Sequence, residues 1–278
     1  ASAYSVLTAD YFALNQGIEG FNVSDLSWGT ANAKTVTLSF LVYSSLTGTF
    51  GGAVKNLLSG ATRSYPFSYS VSVANTWTTI SITIAGDTSG TWATNNGAGL
   101  CVTFGLGVGA TYSGTAGSWA GTNYLSATGA VSVVGTASAT FYITGVQLEK
   151  GSTATSFDYR SYGTELALCQ RYYYQYTGNA SSQTPIAAAF LASTVSAQGL
   201  LQFPVPMRAA PTQSGSAAAD TEVTWSAGTS STSALTLDLV STLNASLRIT
   251  TTGLTTGQGG YFRLSVGATK HLAFSSEL

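Results

Sequence analysis

The chain has 278 residues, of which 10 are Lys or Arg and 11 are Asp or Glu, so 8% are charged and the formal net charge is −1. An ordinary soluble domain carries about 25% charged residues. A surface this poor in cations holds neither a nucleic-acid backbone nor an anionic membrane. The length suits two β domains, and 44% apolar residues are enough for a sizeable core.

The dominant period along the chain is two. In residues 35–43, Val36, Leu38, Phe40 and Val42 point one way and the Thr and Ser residues the other. Residues 77–85 repeat this with Ile80, Ile82 and Ile84 inward, and residues 100–108 with Leu100, Val102, Phe104, Leu106 and Val108. One apolar and one polar face is what an antiparallel sandwich strand needs. Phe141 and Ile143 share one parity but Val146 and Leu148 the other, so Gly145 between them predicts a β-bulge. Gly, Asn, Ser and Thr clusters at 86–90, 95–97 and 114–117 read as turns. One short helix is expected over 162–171, with Thr164 as its cap. Short strands resume at 186–191, 199–203, 221–225, 234–239, 246–250, 261–266 and 271–274. Pro204, Pro206 and Pro211 make the segment between the second and third of these extended chain or a sheet edge. No fixed-period repeat is present, which argues against a solenoid.

The chemistry-bearing residues are few. A single His, His271, forbids a multi-His metal site and leaves a Ser-His-Asp triad one base to choose from. Glu149 and Asp158 are close in sequence, but no nucleophile or metal motif accompanies them, so no enzyme is expected. Cys101 and Cys169 are too few for a disulfide framework and are expected as buried free thiols. The longest apolar run, residues 186–192, is far short of a membrane span, and no basic-then-apolar leader pattern opens the sequence.

Residues 142–151 (YITGVQLEKG), 154–160 (ATSFDYR) and 163–173 (GTELALCQRYY) together resemble a signature of bacteriophage and prophage tail-fibre-like structural proteins. Residues 16–20 (QGIEG), 28–31 (WGTA) and 36–40 (VTLSF) are similar to the same group, and so is the end, 273–278 (AFSSEL). The likeness covers residues 1 to about 175 well and the rest weakly. It implies an all-β chain: a carbohydrate-binding-module-like jelly-roll sandwich over 1–162, a connecting helix over 163–171, and a smaller β-sandwich over 172–278 that oligomerises. The implied function is a tail-fibre or tail-tip component, assembled in the host cytoplasm, that binds host cell-surface glycan without catalysis. Its implied partners are copies of itself in a homotrimer and other tail or virion proteins. Low charge fits a trimer, because a charge near a symmetry axis faces its own copy. Two alternatives stay open: a virion decoration or spacer without ligand, and a secreted bacterial sugar-binding module.

Sugar recognition uses flat aromatic faces with short polar side chains beside them. Trp92, with Asn95 and Asn96, and Trp119, with Asn123 and Tyr124, stand in glycine-rich loops and are the stacking candidates; each Trp could equally lid one end of the sandwich. Trp77 opens a strand on the parity opposite to its isoleucines, but the resemblance implies that it belongs to the core, as does Trp28. Structural calcium is a common partner of such jelly rolls, and Glu19 and Glu149 are the candidate ligands, either of which could instead be solvated or paired with Arg160 or Lys150.

Overall fold

The computed structural model describes residues 2–57, 62–215 and 218–277. The chain is all-β with one α-helix, and it divides into two compact units, the first ending at Tyr159 and the second spanning Arg160–Glu277.

The first unit contains β1 (Tyr11–Glu19), β2 (Val36–Ser44), β3 (Gly48–Asn56), β4 (Ser64–Val71), β5 (Thr78–Ile84), β6 (Ala98–Val108), the short β7 (Ser113–Gly114) and β8 (Ser126–Ala127), and β9 (Phe141–Lys150). A sheet in the order β1-β6-β3-β4 faces one in the order β5-β2-β9, and β7 and β8 form a small parallel pair. The long-range pairs β2–β9 and β3–β6 are nested and lie on the two facing sheets of a β-sandwich.

Alternation builds the core as expected. Val36, Leu38, Phe40 and Val42 are buried against Leu100, Val102 and Phe104, and Ile84 joins them with Ile80 and Ile82 at the margin. The bulge at Gly145 is present. The β2–β9 register steps from Leu41↔Thr144 to Ser39↔Gln147, and Gly145 takes φ +59°, a conformation that favours glycine. The step returns Val146 and Leu148 to the inner face. Pro66 lies in β4, an edge strand, where its missing N–H breaks no ladder.

The second unit contains α1 (Tyr162–Gln170), β10 (Tyr173–Thr177), β11 (Thr184–Leu191), β12 (Ser196–Gln202), β13 (Thr212–Gly215), β14 (Thr221–Trp225), β15 (Gly228–Ser231), β16 (Ala234–Val240), β17 (Asn244–Thr250), β18 (Gly259–Leu264) and β19 (His271–Ser275). Seven strands run in the order β15-β14-β18-β11-β12-β17-β16 and three in the order β10-β19-β13. Leu191, Leu201, Leu247 and Phe262 from the larger sheet share one core with Leu272 and Phe274 from the smaller. Pro185 sits in the central strand β11 where the pairing with β18 slips, the position a proline tolerates.

Two expectations are corrected here. The helix is capped by Ser161, not Thr164: the Ser161 carbonyl accepts the Glu165 N–H, and the Thr164 and Ser161 hydroxyls bond each other at 2.9 Å. No residue of α1 is buried, so Cys169 is exposed, whereas Cys101 on the regular strand β6 is buried as expected.

Candidate functional site

The register of β5, β2 and β9 sets the outer face of that sheet row by row. Tyr43 on β2 stands opposite Tyr142 on β9, and Trp77, the residue before β5, completes the row on the other side. The rings touch: Tyr43 lies 5.6 Å from both Trp77 and Tyr142, at interplanar angles of 53° and 71°. Trp77 is 49% and Tyr142 55% exposed. The burial implied for Trp77 is therefore wrong. Its parity had placed it on the solvent face, and no described side chain covers its ring there beyond the contact with Tyr43.

The next rows are Thr79–Leu41–Thr144 and Ser81–Ser39–Gln147, hydroxyls and an amide around one half-exposed leucine. None of these side chains is charged. Beyond them, residues 152–158 return across the far end of the face as a strap. The Thr83 hydroxyl donates to the Ser152 carbonyl, and the Asp158 N–H to the Gln147 amide oxygen. The Thr155 N–H and hydroxyl donate to the Glu149 carboxylate at 2.8 and 2.7 Å. These bonds, joined by one from Gln147, hold the Glu149 carboxyl below its ordinary range. The strap brings Phe157 beside Gly145 and Leu41, in edge-to-face contact with Tyr159 at 5.0 Å. The assembled surface is an aromatic row with hydroxyls and amides beside it, the chemistry that grips the apolar face and the rim of a sugar.

The residues singled out in the loops are placed differently. Trp92 and Trp119 do come together, 5.6 Å apart, but Trp28 stands edge-on to both at 4.8 and 5.2 Å, and Tyr65 packs on Trp119. Their indole N–H groups are bound to the carbonyls of Ser89 and Ala85, and both rings pack on the core. This is the geometry of a lid. Asn95 accepts the N–H of Gly97, Asn123 accepts a bond from the Lys55 ammonium at 2.9 Å, and the Tyr124 ring lies against Gly114. Asn96 is exposed in the same loop as Asn95. Burial lowers the Lys55 pKa. Of the metal candidates, Glu19 is buried at the end of β1 and Glu149 is engaged by the strap. Among the described residues no three His, Cys, Asp or Glu side chains gather as a metal would require.

A concavity opens where β1 and β9, edge strands of the two sheets, face each other. It has a volume of about 320 Å³, is floored by Val102 and Phe104 and is walled by Leu14 and Ile18 on one side and Val146 on the other.

No protein-family model matches the chain, no curated protein matches it in sequence, and no solved structure matches it in fold.

Proposed function

We propose that the protein is a non-catalytic adhesion module of a bacteriophage tail fibre or tail tip, and that its first unit binds host cell-surface glycan on the row Trp77–Tyr43–Tyr142. The observation that carries this reading is the aromatic row, Trp77 and Tyr142 exposed and Tyr43 half-buried between them, beside two rows of uncharged hydroxyls and amides. Three large rings left in contact with water are unusual for a surface that serves no partner. The viral setting rests on the resemblance of residues 142–173 and the N-terminal segments. The non-catalytic reading is supported by Glu149, whose carboxylate is spent on latching the strap and is poorly placed to act as an acid or a base. A homotrimer held through residues 163–278 would set three such sites on one axis, and linked sites of millimolar to micromolar strength gain roughly two to four orders of magnitude in avidity.

The test is a glycan array probed with the intact chain and with Trp77→Ala and Trp92→Ala. Binding of a neutral glycan that Trp77→Ala removes and Trp92→Ala keeps supports the proposal. No binding to any glycan leaves the spacer reading in its place.

A further inference from the structure

We infer that β1 is an intermolecular strand, pairing antiparallel with β1 of a second copy of this chain across a two-fold axis. The inference does not depend on the glycan reading. The sandwich is closed on one side and open on the other. On the closed side β4 packs against β5, and the outer edge of β4 is bonded to the loop at 117–120 through Gly117 N–H to Pro66 and the Ser64–Ala120 bridge. On the open side β1 pairs only with β6 and β9 only with β2, so each turns a row of backbone N–H and C=O groups outward. Between them lies the 320 Å³ groove. Leu14 and Val146 have the parity of core residues, yet they are 45% and 41% exposed, because among the described residues of the first unit none closes the sandwich over them.

The backbone edge says what kind of occupant fits: another strand, which alone satisfies a row of alternating donors and acceptors. The side chains say which strand. Sheet edges are normally guarded by charges or prolines. Residues 11–18 of β1 read Tyr-Phe-Ala-Leu-Asn-Gln-Gly-Ile, with neither. Two-fold pairing sets a strand against a copy of itself, so a charge near the axis would meet its like, and this segment is free of that penalty in every register. Tyr11, Phe12 and Leu14 are exposed apolar residues on the same edge. The register slips at Phe12/Ala13 and Ile18/Glu19 bracket a regular run from Ala13 to Ile18 that is available for pairing. The pair would extend the β1-β6-β3-β4 sheet to eight strands and bring the partner's Leu14 row over the groove. By contrast, β9 ends in Glu149 and Lys150, which would repel a second β9 end to end less than they would mark it as a solvated edge.

The test is the mass of the full chain by light scattering, with hydrogen exchange on the same sample. The expected result is an even number of 28.5 kDa chains, two alone or six where trimers form through the second unit, with the amides of residues 13–18 protected. Leu14→Lys and Gln16→Lys each bring two like charges within a few residues of the two-fold axis and should halve the mass while deprotecting β1. Gln16 is exposed, so its variant keeps the fold if Leu14→Lys does not. A mass of one or three chains, or an even mass that Gln16→Lys leaves unchanged, overturns the inference.

Discussion

Asp87 and Glu19 are the buried carboxylates among the described residues of the first unit, and removal of the Asp87 carboxylate should be strongly damaging. Its side chain is 2% exposed and receives both the Nε and Nη2 protons of Arg63 at 2.6 Å, with the Ser89 N–H at 3.0 Å. Its backbone carbonyl accepts the Gly29 N–H. The turn so fixed presents the Ser89 carbonyl to the Trp92 indole, so the tryptophan lid depends on it. Asp87→Ala leaves the Arg63 guanidinium without its main partner. Breaking a buried pair from one side costs about 3–5 kcal/mol. Arg63 is 19% exposed and regains some water, which places the loss near about 3 kcal/mol. For a unit of this size that is roughly 6–12 °C in melting temperature. Tryptophan fluorescence is a suitable readout, because Trp28, Trp77, Trp92 and Trp119 lie in the first unit and Trp225 in the second. Arg63→Met combined with Asp87→Leu removes the stranded charge and should recover most of the loss. An Asp87→Ala transition within about 2 °C of the parent, or a double variant no more stable than the single one, would refute the reasoning.

Three further outcomes are expected. Tyr69, buried among Phe40, Phe50 and Phe67, finds no hydrogen-bond partner for its hydroxyl among the described residues, and burial raises its pKa; Tyr69→Phe should therefore be neutral or stabilising by about 1 kcal/mol in urea titration. Trp92→Ala should destabilise the first unit by about 2–4 kcal/mol through lost core packing and ring contacts, while Trp77→Ala stays within about 1 kcal/mol, both read as melting shifts. Glu149 has a folded pKa below the ordinary value of 4.5, so its hold on the strap is complete above that value and is lost as pH falls through the lowered folded one. Exchange of the Thr155 amide should be insensitive to pH-induced opening near neutrality and rise only in acid, and Glu149→Ala should show the open behaviour at every pH.

Where alternation was unbroken the sequence was readable. Strands β2, β5 and β6 and the Gly145 bulge follow directly from the parity of their apolar residues, and most strands of the second unit fall within a few residues of their expected places. Three strands missed in the first unit, β1, β3 and β4, contain residues that usually interrupt strands. In β3, Gly51 and Gly52 break the apolar alternation. They are glycines because the Ser126 hydroxyl crosses one and the Phe67 ring and Thr103 carbonyl press on the other. Pro66 hid β4, although Tyr65, Phe67, Tyr69 and Val71 alternate around it, and Asn15, Gln16 and Gly17 diluted the pattern of β1. The site was half legible. Trp77's parity pointed outward, and only its assignment to the core by resemblance concealed it. Its neighbours Tyr43 and Tyr142 come from strands about 100 residues apart, and no local pattern announces a row that only the sheet register assembles. Loop composition favoured Trp92 and Trp119, but composition does not reveal that three indoles fill one another's space.

The most direct test of the account is a titration of the intact protein and of Trp77→Ala with the glycan that binds best on the array, at low and high salt. The account predicts a dissociation constant that Trp77→Ala weakens by at least tenfold, or about 1.4 kcal/mol, with an unchanged melting temperature and little salt dependence, because the aromatic row and the two rows beside it carry no charge and Glu149 lies beyond them, latched by the strap. Equal affinity for parent and variant, or affinity that collapses with added salt, would contradict it.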